Sequence, residues 1–349
     1  MVLRVVHVVE SLEPEAGSVA VALRGLLDAL EARGIEAEAV TAFEPGAADQ
    51  LVRGAVVVHF HGWGTALARN MAGAARKAGT PYVISPLGLL STGPYHQKGW
   101  RDRIREFLYE NKLVRAAAAI TALNARDQQA LRAADLNARI QVLPYGLSIG
   151  DYEATEDAVD DLPTAPEGRC LLLLGPIHPV EGLVPLLRAV AELGTDADGW
   201  NIVFAGRETG DWRKMLEAAV RRKGAADRVL FTTAPDLRTQ RAWLARASVL
   251  AAPGLHFRCP VSIVQAVAAG VPAIASEHTA PDALDGTIRV CAPNREALKE
   301  ALRFVFRLSD EDRASLARKA RDVSHARLDW PVLVDEYVQL YENLVRPTS

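Results

Sequence analysis

Short apolar runs alternate with amphipathic helical stretches along the whole chain. Each half contains six runs of strand length. They read LRVVHVVE, EAEAVTAF, AVVVHFHG, PYVISPLG, AAAAITALN and RIQVLPYG in the first half, and CLLLLGP, NIVFAGR, VLFTTAP, SVLAAPG, PAIASE and TIRVCAP in the second. Strands that alternate with helices form parallel sheets through helical crossovers. The pattern therefore predicts an α/β protein with two Rossmann-like domains that face each other across a cleft.

An acidic segment that contains prolines, DYEATEDAVDDLPTAPEGR, separates the two halves. A chain of 349 residues exceeds the usual size of a single core. We therefore predict an N-terminal domain over residues 1–150, a linker over 151–167 and a C-terminal domain over 168–329.

Composition excludes several classes of protein. With 49% hydrophobic and 24% charged residues and no apolar run near 18 residues, the chain is neither disordered nor membrane-spanning. The net charge of −3 gives no support to a nucleic-acid partner. Three widely spaced cysteines, and an N-terminus that leads directly into a predicted strand, favour a cytoplasmic location.

The segment ASVLAAPGLHFRCPVSIVQAVAAGVPAIASE, residues 247–277, predicts a strand, a loop, a helix and a second strand. In an open parallel sheet this arrangement places the loop and the helix N-terminus in the crevice where ligands bind. A helix N-terminus favours anions, so a phosphate group fits there.

This segment resembles the donor-site motif of GT-B glycosyltransferases of the family 4 type, the glycosyl transferases group 1. The resemblance spans nearly the whole chain, and it implies a last helix, within residues 330–349, that returns to the N-terminal domain. It also implies a UDP- or GDP-linked sugar donor, no required metal, and a polysaccharide or lipid-linked acceptor. The family holds the hexose and the ribose with two glutamates, whose positions are Phe257 and Gln265 here. Glutamine can bond a ribose hydroxyl, whereas phenylalanine accepts no hydrogen bond.

Three further segments depart from the family pattern. The turn PYVISPLGLL carries Leu87 where the family commonly has a histidine near the transferred sugar, and the interdomain turn carries Tyr145 in place of an asparagine. LLLLGPIHPVEGL resembles LGRLHPKKGL, but Pro176 and the pair Val180 and Glu181 replace the two cations that neutralise the donor diphosphate. A helix dipole contributes roughly 0.3 to 1 kcal/mol, less than the roughly 1.5 to 3 kcal/mol of one charge-assisted hydrogen bond.

The remaining candidates for donor binding lie on loops that the resemblance places at the crevice. Gly17 and Ser18 stand where the family has a glycine-rich loop, and Arg207 and Arg258 are potential replacements for the lost cations, although Arg258 also fits a solvated loop position. The predicted donor set is Gly17, Ser18, Gly175, Arg207, Arg258, Ser262 and Gln265.

The stretch VVHFHGWG is similar to the VHxHGxW stretch of the family and predicts an acceptor cleft lined by His59, His61 and Trp63. Alternation along a strand puts both histidines on one side, which fits a structural histidine pair equally well. A metal site needs a third ligand, and the sequence places none.

Two functions remain open. The first is a glycosyltransferase with impaired or absent hexosyl transfer. The second is a catalytically inactive binding or scaffold partner of an active glycosyltransferase. The basic amphipathic segment YHQKGWRDRIREFLYENKLVRAAAAI fits a solvated face, a partner interface or peripheral contact with the inner face of a membrane.

Overall fold

The computed structural model describes an α/β chain with two parallel sheets. The described residues are 3–13, 17–42, 47–88, 111–134, 139–153, 162, 167–208, 210–222, 225–233, 235–257 and 261–345. The basic segment singled out above lies mostly outside them. No helix within these ranges is long and apolar enough to cross a bilayer.

The N-terminal sheet has the strand order β2-β1-β3-β4-β5-β6, and all its pairs are parallel. Each predicted apolar run of the first half contains one of these strands. They span Arg4–Val8 (β1), Glu36–Val40 (β2), Val57–His61 (β3), Tyr82–Ser85 (β4), Ala119–Ala122 (β5) and Ile140–Val142 (β6).

The C-terminal sheet has the order β12-β11-β10-β7-β8-β9 and is also parallel throughout. The order in which the strands are added reverses between β7 and β10, since β8 and β9 extend the sheet on one side and β11 and β12 extend it on the other. Ligands of such sheets bind at the carboxyl ends of the strands beside this point. The strands span Arg169–Leu174 (β7), Trp200–Ala205 (β8), Val229–Thr232 (β9), Val249–Ala252 (β10), Ala273–Ser276 (β11) and Arg289–Cys291 (β12).

Helices cover both sheets, and local capping sets several of their starts. The side chains of Thr65, Asn124, Asp236, Asn294 and Ser309 each accept a hydrogen bond from a backbone N–H of the first turn. The helices described are Ser18–Ala32 (α1), Ala47–Gly54 (α2), Ala66–Ala78 (α3), Ala125–Ala133 (α4), Leu183–Ala191 (α5), Trp212–Arg222 (α6), Leu237–Arg246 (α7), Val261–Ala268 (α8), Arg295–Arg307 (α9), Asp310–Arg327 (α10) and Trp330–Val345 (α11).

The last helix, α11, returns to the N-terminal sheet and packs against α1 and β3. Trp330 fills the space above Gly25, where a Cβ would lie 2.3 Å from the indole ring. Tyr337 donates a hydrogen bond to the Pro144 carbonyl oxygen at 2.9 Å, and Asp335 pairs with Arg33 at 2.9 Å. The two Rossmann-like halves and the returning last helix predicted from the sequence are confirmed, while the domain boundaries remain predictions.

Three histidines lie side by side on the sheet beneath α11. His7 pairs in register with His59, and His61 follows on the same side of β3. Burial lowers the pKa of His7 to about 3, and burial together with the neighbouring imidazoles lowers the pKa of His59 and His61 well below the usual value. All three rings are therefore neutral near pH 7. His7 is the third member of the cluster that sequence reasoning could not place.

Hydrogen bonds join these imidazoles to each other and to hydroxyl groups. His7 Nδ1 lies 2.8 Å from His61 Nε2, and His61 Nδ1 bonds the Tyr145 hydroxyl. His59 lies 2.7 Å from both the Tyr341 hydroxyl and Ser85 Oγ. Although the three side chains could offer metal-ligand atoms within 4.8 Å of one another, five of the six ring nitrogens are already used in hydrogen bonds. Through Tyr341 the network attaches α11 to β3, and through Tyr145 it attaches the interdomain turn to the same strand.

Two pairs of loops at the carboxyl end of the C-terminal sheet are in backbone contact. A Cβ on Gly206 would lie 1.7 Å from the Gly175 carbonyl oxygen, and one on Gly182 would lie 2.1 Å from that of Pro253. Gly175 and Gly182 also have positive φ, 151° and 71°. Only glycine fits these approaches, which define the shape of the crevice.

Substitution of Gly206 tests this close approach. We expect Gly206→Ala to lower the free energy of unfolding by about 1 to 3 kcal/mol, because the new methyl group forces two loops apart. Urea denaturation measures the change. Gly150→Ala is the control, since a Cβ there meets nothing within 4 Å and the φ of Gly150 is not positive. Equal losses for the two variants would contradict the close packing.

The neutral histidines predict a loss of stability in acid. An unfolded histidine has a pKa of about 6.5, above the value of about 3 for folded His7, so the unfolded chain binds more protons below pH 6.5. The free energy of unfolding should fall between pH 6.5 and 3 by about 1.4 kcal/mol per pH unit for each such histidine. We expect a lower urea midpoint at pH 5.5 than at pH 7.5, and a smaller difference in His7→Gln.

Phe60→Leu, a core substitution on the same strand as His59, controls for general destabilisation. Phe60 is fully buried and carries no titrating group, so its loss should lower the midpoint at both pH values alike. A His7→Gln protein with the full wild-type pH difference would show that His7 is not a source of the acid sensitivity.

Candidate functional site

A cleft of about 890 Å³ lies between the two sheets. Its walls come from the loops after β1, β3 and β4 on one side and after β7, β8 and β10 on the other. The N-termini of α1 and α8 also border it. The cleft is therefore at the carboxyl ends of both sheets, where the strand order predicts a ligand.

Most of the residues singled out from the sequence meet in this cleft. The lining includes Gly17, Ser18, Gly175, Arg207, Ser262 and Gln265 of the predicted donor set, His61 and Trp63 of the predicted acceptor set, and Leu87. His59 does not line it, because this ring is buried in the histidine network instead. Phe257 does not line it either, and Arg258 lies outside the described residues.

The N-terminus of α1 faces the cleft without a side-chain cap. Gly17 precedes the helix with a φ of 116°, and Ser18 begins it. A Cβ on Gly17 would meet nothing within 4 Å, so this surface is open to a ligand. The helix is 15 residues long and has no acidic residue in its first turn. Its partial positive charge is therefore available to an anion.

Leu87 has an unusual backbone conformation for its residue type. Its φ is 56°, and no other non-glycine residue among the described ranges has a positive φ. A branched side chain is strained in this region, and such strain concentrates at functional sites. The next residue, Gly88, lies against Phe257, whose carbonyl oxygen would be 1.9 Å from a Cβ on Gly88. The turn after β4 therefore touches the loop of the opposite domain.

Phe257, which the resemblance aligns with a family glutamate, packs its ring beside His278. The two ring centroids are 4.9 Å apart. His278 is held in turn by a 3.0 Å hydrogen bond between its Nδ1 and the Leu255 carbonyl oxygen. The aromatic pair consolidates the loop and contributes no acceptor to the cleft.

Charge in the cleft is sparse. Among the described lining residues, the charged side chains are Glu10, Glu181 and Arg207. Arg207 is exposed, and Glu181 stands directly before Gly182. Pro176 and Glu181, which the resemblance aligns with the two family cations, the second across the pair Val180 and Glu181, both line the cleft. One guanidinium therefore shares the described lining with two carboxylates.

Gln265 is nine-tenths buried and is held from two sides. Its amide nitrogen donates to the Tyr152 hydroxyl at 2.9 Å and to Gln240 Oε1 at 3.1 Å. Sequence reasoning missed both partners, and it also missed Glu10 and Pro235 in the lining. No local motif marks them, because their places depend on the packing of distant elements.

Both halves of the chain match known family descriptions. Residues 45–146 match "Glycosyl transferase 4-like domain", and residues 168–307 match "Glycosyl transferases group 1". The GDP-mannose:cellobiosyl-diphosphopolyprenol alpha-mannosyltransferase of Xanthomonas campestris is 24% identical over 305 residues, which cover 83% of this chain and 74% of that protein. The 2-deoxystreptamine glucosyltransferase of Streptomyces kanamyceticus is 30% identical over 213 residues, 58% of this chain and 54% of that one.

Solved structures share the same fold. Sucrose-phosphate synthase from Thermosynechococcus elongatus has a TM-score of 0.77 at 17% identity, over 98% of this chain and 99% of that one. Anabaena HepE in complex with UDP and glucose has a TM-score of 0.76 at 16% identity, over 98% and 100%. Together with the two domain matches, these similarities show that the chain belongs to the GT-B glycosyltransferases of group 1, the family 4 type.

Proposed function

We propose that the interdomain cleft binds a UDP- or GDP-linked sugar and that hexosyl transfer from it is impaired. The observation that carries this proposal is a cleft with the glycine loops and the uncapped α1 N-terminus of a diphosphate site, but with a single cation in its described lining. The Anabaena structure holds UDP and glucose, and the name of the Xanthomonas relative specifies GDP-mannose. A nucleotide sugar is therefore the ligand class that this cleft suits best.

The reduced charge is the main reason to propose impaired transfer. The departing nucleoside diphosphate gains negative charge in the transition state, and fixed cations stabilise it there. Arg207 is the one described cation of the lining, while Glu10 and Glu181 oppose it. Leu87 adds no acceptor or proton donor to the lining, and Phe257 lies outside the lining. The donor can be held through backbone groups, but its cleavage lacks electrostatic support.

The acceptor side of the proposal rests on His61 and Trp63, which line the N-terminal wall of the cleft. Both side chains are largely buried, and Trp63 packs edge-on against Phe60, so they shape this wall rather than offer a free ring face. A glycan or lipid-linked acceptor would meet the cleft at this wall. The proposal needs no metal ion. Cytoplasmic location and contact with a membrane surface stay predictions, since the basic segment on which such contact depends lies mostly outside the described residues.

A second candidate is a catalytically inactive partner of an active glycosyltransferase. Leu87 and the Phe257–His278 pair favour it, because these side chains consolidate loops at positions where the family carries chemistry. The two candidates differ in ligand binding. An impaired enzyme retains affinity for the nucleotide sugar, whereas a scaffold that has lost the site does not.

Charge reversal at Glu181 tests the diphosphate site. We expect Glu181→Lys to tighten the binding of UDP or GDP by about tenfold or more, because it adds a charge-assisted hydrogen bond and removes a repulsive carboxylate. Isothermal titration calorimetry at two salt concentrations measures the change. Glu336→Lys makes the same change of charge on the exposed face of α11 and serves as the control. No gain over this control would contradict a diphosphate beside residue 181.

Restoration of one sugar contact should not restore transfer. We expect Phe257→Glu alone to release no appreciable nucleoside diphosphate from UDP-glucose or GDP-mannose, since the diphosphate remains without its cations. A coupled assay of UDP or GDP release measures the rate, with Phe257→Gln as a control of similar size. Substantial turnover by Phe257→Glu would show that diphosphate binding is not the limiting defect.

A further inference from the structure

A chain of hydrogen bonds determines which atom of Gln265 is left for a ligand. The Pro235 carbonyl oxygen can only accept, so the Gln240 amide nitrogen must donate to it, at 3.0 Å. Gln240 therefore presents its Oε1 to Gln265, and the amide nitrogen of Gln265 donates a hydrogen bond to it at 3.1 Å. The same nitrogen donates to the Tyr152 hydroxyl at 2.9 Å. Both N–H groups of Gln265 are thus used within the protein.

The carbonyl oxygen of Gln265 has no hydrogen bond to the described residues, and the side chain borders the cleft. Tyr152 is itself fixed, because it is 3% exposed and the Arg241 guanidinium lies 5.8 Å from the centre of its ring. If the Gln265 amide turned over, its oxygen would face Gln240 Oε1 and that hydrogen bond would be lost, whereas the Tyr152 hydroxyl can donate as well as accept. The free oxygen is therefore a preorganised acceptor.

We propose that Gln240 and Tyr152 are positioning residues that aim the Gln265 carbonyl oxygen at the ribose, so that the site selects a nucleotide by one accepted ribose hydroxyl. This inference rests on the proposed function. It also accounts for glutamine at a position where the family has glutamate. A carboxylate at 265 would face Gln240 Oε1 across about the same 3.1 Å, and two acceptors at that distance repel.

Titration calorimetry of the full chain with UDP, 2′-deoxy-UDP and 3′-deoxy-UDP tests the proposal, and the guanosine series is run in parallel. We expect the wild-type protein to bind one of the deoxy nucleotides about five- to tenfold more weakly than its parent, the value of one hydrogen bond. In Tyr152→Phe the discrimination should fall below about twofold, because one of the two groups that hold the Gln265 amide in position is removed. A merely structural role would weaken all the nucleotides equally.

Tyr337→Phe is the matched control, since it removes a buried tyrosine hydroxyl bonded to Pro144, away from the cleft lining. Its discrimination should equal that of the wild type. Unchanged discrimination in Tyr152→Phe, or wild-type binding without any discrimination, would overturn the positioning role and leave nucleotide binding in place. Failure of the wild type to bind either nucleoside diphosphate would overturn the proposed function as well.

A second set of variants examines Gln240 directly. We expect Gln265→Glu to bind UDP or GDP more weakly than the wild type, because its carboxylate meets the fixed oxygen of Gln240. The double variant Gln265→Glu with Gln240→Leu should recover at least half of that loss in a double-mutant cycle. Tighter binding by Gln265→Glu alone would contradict the fixed orientation of Gln240.

Discussion

Backbone-to-backbone contact at the carboxyl ends of the strands is the constraint on which the rest of this structure depends. Gly206 lies against Gly175, and Gly182 lies against Pro253, at separations that exclude any side chain. These approaches bring the loops after β7, β8 and β10 into one surface. The cleft exists because that surface faces the corresponding loops of the N-terminal sheet. Replacement of side chains within the cleft leaves this framework intact, because the contacts that define it are made by backbone atoms.

Buried hydrogen bonds in the N-terminal core also hold elements of the fold together. Neutral imidazoles donate and accept at once, so a single ring can bond two partners. His7 bonds His61, and the rings of His61 and His59 bond the hydroxyls of Tyr145 and Tyr341. Of the six ring nitrogens, His7 Nε2 has no partner among the described residues. Tyr145 lies in the turn where the chain leaves the N-terminal domain, and Tyr341 lies on the helix that comes back. Both passages of the chain between the domains are therefore attached to the same strand, β3.

The sequence was sufficient to predict the twelve strands, because each is a short apolar run with a turn or a helix on either side. It was also sufficient to predict that Gly17, Gly175 and Gln265 lie in one cleft, since the carboxyl ends of parallel strands lie at the same edge of a sheet. It was insufficient for contacts that depend on sheet order or side-chain direction. His7 joins His59 only because β1 lies beside β3, and Tyr152 reaches Gln265 across 113 positions of sequence. Alternation placed His59 correctly beside His61, but could not reveal that α11 covers it.

Leu87 shows that the backbone of the cleft is shaped independently of some of its side chains. The left-handed turn that presents this residue to the cleft is maintained although leucine is poorly suited to it, at a φ of 56°. The neighbouring contact between Gly88 and Phe257 fixes the main chain here, whatever side chain residue 87 carries. Histidine is among the residues that tolerate this conformation better. A titratable group can consequently be introduced at this turn by a single side-chain replacement, with no remodelling of the loop.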